Sequence, residues 1–158
     1  MDNIRIVEIP RTGMISSGFG SLEKLKARNF ERLFPGWNRT IFPHDFMSYD
    51  PERKQLIWYY ALTGNAGIDP GEFEIIDYEG GLYAAGVSVD EDDGDGTRVY
   101  NGIREWIEAS GRFELDERPG HYTLFHVTTS PAAKKALGYN QLDIFVPVRA
   151  INGGGRQF

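Results

Sequence analysis

The residues best suited to chemistry in this 158-residue chain are an acidic run, three histidines and many aromatic side chains. The acidic run, Asp90 to Asp95, offers the carboxylate oxygens that Ca²⁺ prefers. Counted from Asp90, however, the glycine and the terminal glutamate of an EF-hand loop are out of place. We therefore interpret the run as a solvated loop that complements the positive end of a following helix.

The three histidines, His44, His121 and His126, do not have metal-binding spacing. His121 and His126 are an odd number of residues apart on one predicted strand, so their side chains would face opposite sides. The chain has no cysteine, which excludes thiolate metal sites, and no Gly-x-Ser-x-Gly nucleophile elbow. Gly18-Phe19-Gly20-Ser21 lacks the rest of a dinucleotide fingerprint or a P-loop. We expect no metal, no cofactor and no common hydrolytic site.

Aromatic residues make up 13% of the chain, which is more than one small core uses. Trp58 and Tyr60 share one face of a predicted strand, whereas Tyr83, Trp106 and Tyr122 lie in the second half of the chain. Core packing is the simplest account of any one of them. As a group they suit a cleft, because Tyr and Trp combine an apolar ring with a polar atom. A planar or cationic ligand would stack on such rings.

Two pairs of similar stretches predict the elements that position these residues. Gly13 to Gly18 and Gly80 to Gly86 each hold alternating small and larger side chains between glycines. Later, Gln55-Leu56-Ile57-Trp58-Tyr59 is echoed by Gln141-Leu142-Asp143-Ile144-Phe145. Matching echoes in the same order indicate an internal repeat, and two similar units that pack together leave a seam where small molecules bind.

The predicted fold class is α+β, with a tandem βαββ repeat related by a pseudo-twofold axis. We expect an antiparallel sheet, two main helices and a central cleft. A single domain is predicted over residues 1–150, with half-repeats of about 3–64 and 72–149. Residues 151–158 are expected to form a flexible tail.

In the first half, the strand that begins at Ile4 is interrupted by Pro10, and we expect Gly13 to Gly18 to continue it after a bulge. Ser21 is predicted to cap a helix over about 22–34. Two strands around Asp50-Pro51-Glu52-Arg53 predict a hairpin.

In the second half, a helix follows the acidic run and ends at Gly111, with Val99, Ile103, Trp106 and Ile107 on one face. Two strands follow, from His121 to Thr129 and from Gln141 to Val148, and a partly helical connection joins them.

The net charge of −6 disfavours a nucleic-acid surface, because binding to phosphates requires clustered Lys and Arg. No signal peptide or membrane-length apolar segment is evident, so we expect a cytoplasmic protein without a membrane partner.

The order of these patterns over residues 4–149 resembles the GyrI-like family. These are the effector-binding domains also found at the C-termini of AraC-type and MerR-type multidrug regulators. The matching residues are Gly80-Gly81-Leu82-Tyr83-Ala84, Trp106, Arg118-Pro119-Gly120-His121-Tyr122, and Asp143-Ile144-Phe145-Val146-Pro147-Val148.

The resemblance implies a ligand cleft at the seam between two βαββ modules, binding bulky and often cationic aromatic compounds. Some members resemble hydrolases of cyclopropane-bearing genotoxins, and the namesake type binds DNA gyrase. Many members carry a cleft glutamate two residues before a tyrosine that matches Tyr122. Gly120 stands there in this chain and contributes no charge, so another acid would have to reach the cleft. The candidates are Asp50, Glu72 and Glu117, while Asp143 matches an acidic position in the final strand.

We expect a stand-alone domain that binds a small apolar, aromatic or cationic molecule between its halves, in sensing or sequestration. No helix-turn-helix flanks the pattern, so we expect no direct DNA contact. The expected ligand-binding residues are Trp58, Tyr60, Tyr83, Trp106 and Tyr122, with Gly120 at the substituted position. One alternative is a hydrolase of reactive xenobiotics, which requires an acid or base beside Tyr122. The other is an interaction module for a topoisomerase or a separate regulator, which requires an exposed apolar patch or an unpaired edge strand.

Overall fold

A single antiparallel sheet of nine strands organises the described part of the chain, which comprises residues 3–36, 42–63 and 68–151 of a computed structural model. Three α-helices and one 3₁₀ turn accompany the sheet. The predicted α+β class is therefore confirmed. The strands are β1 Arg5–Ile9, β2 Thr12–Gly20, β3 Asp45–Asp50, β4 Gln55–Ala61, β5 Glu74–Tyr78, β6 Gly81–Val89, β7 Phe113–Leu115, β8 Leu124–Val127 and β9 Gln141–Ala150. The helices are α1 Leu22–Ala27, α2 Asp93–Ser110 and α3 Pro131–Leu137, and the 3₁₀ turn is Phe30–Leu33.

The strand order is β1-β6-β9-β8-β3-β4-β2-β5, and β7 adds to β9. The first strand of each predicted half pairs with the opposite half, because β1 pairs with β6 and β5 pairs with β2. The two glycine-bracketed stretches, in β2 and β6, each lie second from an end of this order. The half-repeat boundaries stay predictions. Residues 64–67, at the boundary between the first predicted half-repeat and the interval before the second, and residues 152–158, within the predicted tail, lie outside the described residues.

The expectation that Gly13 to Gly18 continues the first strand is wrong. β1 and β2 lie in distant parts of the strand order, and Pro10 between them lacks the N–H that a continuous ladder needs. The Thr12 hydroxyl donates to the Pro10 carbonyl and closes the turn at 2.7 Å. A bulge does occur further along β2, where Ser17 and Gly18 together oppose the single residue Trp58.

The predicted helix over 22–34 is too long. Ser21 does cap α1, since its hydroxyl accepts from Lys24 N at 3.2 Å, but α1 ends at Ala27. Asn29 adopts a left-handed conformation with φ 56°, which interrupts the helical hydrogen bonds, and a 3₁₀ turn follows. Phe30 and Leu33 on that turn still pack into the core beneath α1.

The second helix, α2, begins inside the acidic run rather than after it. The Asp92 carboxylate accepts from Asp95 N at 3.0 Å and caps the helix. Gly111, with φ 63°, ends the helix as predicted. Gly86 of β6 allows α2 to pack closely, because a Cβ there would lie 3.1 Å from Val99 Cγ1. His121 precedes β8 instead of lying on it, which corrects the predicted strand from His121.

Both main helices cover the same face of the sheet, which we call the helix face. α1 and the 3₁₀ turn cover one part of this face, over Trp58 and Tyr60, and α2 covers another part, over Ile144 and Val146. The opposite face has its own core, which contains Met14, Ile57, Tyr59, Ala61, Tyr78, Tyr83 and Leu124. None of the helices in the described ranges has the length and apolar character that a membrane crossing requires.

Candidate functional site

A groove runs along the helix face between α1 and α2. Its floor is formed by the central strands, where Met47 of β3 pairs with Phe125 of β8. Two cavities open along this groove. The α1-side cavity, of about 590 Å³, includes Phe34, Asp45, Met47, Trp58 and Tyr60 in its lining, and the hairpin-side cavity, of about 820 Å³, includes Tyr49, Glu52, Tyr100, Glu117 and Tyr122. Phe125 lines both cavities, so they meet over its ring.

The α1-side cavity has an aromatic wall built by the hairpin and the 3₁₀ turn. The bulge in β2 leaves the Trp58 N–H without a ladder partner, and Ser17 Oγ accepts it at 2.8 Å. Phe34 stacks on Tyr60, with ring centroids 5.5 Å apart and planes at 18°, and meets Trp58 edge-on at 5.3 Å. The predicted pair Trp58 and Tyr60 therefore lie side by side on the cavity wall, and both are largely buried.

Asp45 contributes a carboxylate to this aromatic wall. The Trp58 indole Nε1 donates to Asp45 Oδ2 at 3.0 Å. Burial raises the pKa of Asp45 above the ordinary aspartate value, and the Trp58 hydrogen bond and the charge of His126 only partly oppose that effect. Among the described residues, no lysine, arginine or histidine forms an ion pair with Asp45.

The charge around the α1-side cavity is predominantly negative. Three more carboxylates, Glu31, Asp90 and Glu91, line it, whereas the basic side chains in its described lining are Lys26 and His44. Negative charge beside flat aromatic rings favours a cation with apolar substituents, since both components attract positive charge.

Sequence analysis missed Asp45, although a usable signal was present. The hairpin was predicted around Asp50 to Arg53, and a symmetric pairing about that turn sets Asp45 opposite Trp58, on the same face as its observed partner Tyr60. Residues paired across a ladder point to the same face. The aromatic face that was identified at Trp58 and Tyr60 therefore already implied a neighbouring carboxylate.

His126 fixes the backbone at Pro43, two residues before Asp45. Its Nε2 donates to the Pro43 carbonyl at 2.7 Å, and its Nδ1 lies 3.5 Å from Asp143 Oδ2. Phe46 stacks on the imidazole with ring centroids 4.7 Å apart. Burial lowers the pKa of His126, but the hydrogen bonds to Asp143 and Pro43 and the charge of Asp45 outweigh that effect and raise it above the ordinary value.

The hairpin-side cavity contains Tyr122, which sequence analysis singled out. The Tyr122 hydroxyl donates to Asp50 Oδ2 at 3.3 Å. Asp50 is 3% exposed and also accepts from the backbone N–H groups of Glu52 and Arg53, so it organises the β3–β4 turn. Partial burial and the neighbouring Asp50 charge raise the pKa of Tyr122. Trp58 and Tyr122 thus line different cavities, and the Tyr122 hydroxyl extends from the second cavity to Asp50, which points to the opposite face of β3.

An ionic network borders the hairpin-side cavity. Arg118 bonds to the buried Asp116 at 2.8 Å and to Glu79 at 2.7 Å. His121 stacks on Tyr83 and on Tyr78, with ring centroids 5.4 and 6.2 Å apart. Burial and the Arg118 charge lower the pKa of His121, which favours its neutral form.

The structure does not bring Tyr83 or Trp106 to the groove. Tyr83 is 0% exposed on the opposite face, where its hydroxyl bonds to that of Tyr78 at 2.6 Å. Burial raises the pKa of Tyr83 to about 12. Trp106 stacks on Phe113 at 6.2 Å and borders a separate depression beside Gly86. Both side chains are used in packing.

The remaining predicted positions divide between the groove and its surroundings. Gly120 lies in a turn with φ +77° beside the hairpin-side cavity, and it is not part of that cavity's lining. Of the acids proposed to replace its missing charge, Asp50 and Glu117 line this cavity, whereas Glu72 lies 3.9 Å from Arg28 in an exposed ion pair. Within the described ranges, no three metal-ligating side chains come together.

Comparisons with known proteins identify similar structures but no similar sequence. No family model and no curated protein sequence matches the chain. SAV2435, solved bound to tetraphenylphosphonium, is 9% identical over 94% of each chain, with a TM-score of 0.55. The EcmrR C-terminal domain is 12% identical over 94% of this chain and 98% of its own, with a TM-score of 0.61. A hydrolase from Listeria innocua is 10% identical over 93% and 92%, with a TM-score of 0.61. These similarities show the fold, and they are consistent with the GyrI-like resemblance of the sequence.

Proposed function

We propose that the protein binds a bulky aromatic cation in the α1-side cavity, with Asp45 as the counter-charge, and serves in sensing or sequestration. The observation that carries this proposal is the Asp45 carboxylate. It lies beside Trp58 and Tyr60 and forms no ion pair with any described residue, so that the nearest cationic influence on it is the charge of His126, which already pairs with Asp143.

A carboxylate in this setting loses part of its hydration, which is why its pKa is raised. A bound cation would restore a favourable interaction with the carboxylate, and its substituents would pack on Phe34, Trp58 and Tyr60. An uncharged ligand of the same shape would gain only the packing. The site should therefore discriminate by charge as well as by shape.

Two further points support this ligand class. SAV2435, which shares the fold, was solved with tetraphenylphosphonium, a bulky aromatic cation. In addition, Asp45 offers the negative charge that the resemblance places at Gly120, but at the other end of the groove.

Calorimetry with a matched pair of ligands tests the proposal. Methyltriphenylphosphonium is cationic, and triphenylphosphine oxide is an uncharged molecule with the same three rings. We expect the cation to bind more tightly than the oxide. Asp45→Asn should lower the affinity for the cation by about tenfold or more and leave the affinity for the oxide unchanged. Glu74→Gln, which changes the net charge equally at an exposed position of β5, is the control. Equal affinity of wild-type protein and Asp45→Asn for the cation would contradict the proposal.

A hydrolytic function is the second candidate, and one observation favours it. Asp50 and Tyr122 form a hydrogen-bonded pair on the lining of the hairpin-side cavity, which provides the acid beside Tyr122 that hydrolysis requires. If this pair is catalytic, Tyr122→Phe should abolish turnover of a cyclopropane-bearing alkylating agent without changing cation affinity at the α1-side cavity. Turnover that is absent from wild-type protein, or retained by the variant, would exclude this role.

A further inference from the structure

The two cavities lie at different positions along one groove. A ligand that occupies both cavities must therefore be elongated. Asp45 and Tyr49 both point to the helix face of β3, one at each end of the strand. Four residues of extended strand span about 13 Å. Met47 and Phe125 form an apolar floor between these ends.

The hairpin-side end repeats the chemistry of the α1-side end. Tyr49, Tyr100 and Tyr122 present aromatic rings to this cavity. Glu52 and Glu117 also line it, and neither carboxylate forms an ion pair with any described residue. Each end of the groove therefore combines aromatic rings with carboxylates, Asp45 at one end and Glu52 and Glu117 at the other, that form no ion pair with a described residue.

We infer that the groove selects elongated molecules with two cationic groups joined by an apolar linker. This inference rests on the proposed function. One cationic group would lie at Asp45 and Trp58, and the linker would cross Met47 and Phe125. The second group would lie among Tyr49, Tyr100 and Tyr122, near Glu52 and Glu117.

Arg104 is a basic residue in the cavity proposed for the second cationic group. Its removal should therefore raise the affinity for a ligand with two cationic groups. The guanidinium Cζ of Arg104 lies 5.9 Å from the centroid of the Tyr100 ring, on the same cavity. It occupies an aromatic face that a ligand cation would use, and its charge repels that cation. Arg118, the other arginine in the described part of this lining, is held by Asp116 and Glu79.

The experiment compares decamethonium, which has two cationic groups, with decyltrimethylammonium, which has the same alkyl chain and one. Calorimetry is done on the full chain, below the micellar concentration of the single-headed compound. We expect decamethonium to bind wild-type protein about tenfold more tightly, and the shorter hexamethonium to lose this advantage. Asp45→Asn should weaken both ten-carbon ligands.

Variants in the hairpin-side cavity distinguish the two-cation inference from the proposed function. The double variant Glu52→Gln, Glu117→Gln should lower the affinity for decamethonium, and Arg104→Gln should raise it. Neither change should alter the affinity for decyltrimethylammonium. Arg112→Gln, at an exposed position after α2, is the charge-matched control for Arg104→Gln and should change neither ligand. If both ten-carbon ligands bind equally and depend on Asp45, the inference is wrong and the proposed function stands. If neither depends on Asp45, both are wrong.

Discussion

The indole Nε1 of Trp58 donates a hydrogen bond to Asp45 Oδ2, at 3.0 Å, across the β3–β4 ladder. This bond fixes both members of the proposed binding site at once. It orients the carboxylate at the cavity wall, and it holds the indole beside Phe34, which it meets edge-on. The β3–β4 hairpin thus fixes the carboxylate and the indole relative to each other.

Trp58→Phe should remove this donor while keeping an aromatic ring. Asp45 then remains partly buried without its hydrogen bond, so we expect the free energy of unfolding to fall by about 1–3 kcal/mol. Urea denaturation measures the change. Trp106→Phe is the matched control, because the Trp106 indole has no hydrogen-bond partner among the described residues and should cost less. Equal losses in the two variants would mean that the Trp58 hydrogen bond does not stabilise the fold.

His126 should make stability depend on pH. Hydrogen bonds to Asp143 and Pro43 raise its pKa in the folded state above the unfolded value of 6.5. The protonated form is therefore favoured by folding, and its contribution is fully present below pH 6.5 and is lost as the pH rises through the folded-state pKa.

Urea denaturation from about pH 5.5 to about pH 8.5 measures this effect. We expect the free energy of unfolding to fall as the pH rises over this range, and the dependence to be weaker in His126→Gln. A profile that is the same in His126→Gln and wild-type protein would contradict this role of His126. His121→Gln is the control with the opposite sign, since burial and the Arg118 charge lower the pKa of His121 in the folded state, so its contribution to stability increases with pH and its loss should make the fall steeper.

The sequence predicted those features that depend on local patterns. The hairpin around Asp50 to Arg53 is confirmed by its register, as are the Ser21 cap and the Gly111 helix end. Each of these follows from residues close together in the chain, where turn and capping preferences act directly.

The sequence did not predict which side chains the two faces of the sheet would bring together. Tyr83 and Tyr122 were predicted as ligand-binding residues on the same grounds, as aromatic residues near a predicted cleft. Tyr83, however, lies in the core of the opposite face, whereas Tyr122 lines the hairpin-side cavity. Its face is set by the pairing of β6 with β1 and β9, which is long-range. The α1 prediction failed for a different reason. Asn29 is a residue type that often ends a helix in the left-handed conformation, but the apolar spacing that continues through Phe30 and Leu33 predicts a longer helix, whereas those two residues lie on a separate 3₁₀ turn.

Gly80, the first residue of the second glycine-bracketed stretch, should be essential for the stability of the fold. A Cβ at this position, with φ +72°, would lie 2.1 Å from the Ile9 carbonyl oxygen, so the backbone would have to move. Gly120 has a similar φ of +77°, but a Cβ there would have no atom within 4 Å, so this position separates backbone strain from collision. We expect Gly120→Ala to cost about 1 kcal/mol and Gly80→Ala at least about 2 kcal/mol more, measured by thermal or urea unfolding. Similar costs for the two substitutions would contradict the close packing at Gly80.

The most direct test of the central claim is an NMR titration of the Asp45 carboxyl carbon, with and without methyltriphenylphosphonium. In the free protein we expect the pKa of Asp45 to lie above the ordinary aspartate value, because the carboxylate is partly buried. A bound cation favours the ionised form, so saturating methyltriphenylphosphonium should lower this pKa, and affinity for the cation should increase with pH until Asp45 is fully ionised. Triphenylphosphine oxide should not lower it. An Asp45 pKa that is unchanged by the saturating cation would contradict the assignment of Asp45 as the counter-charge.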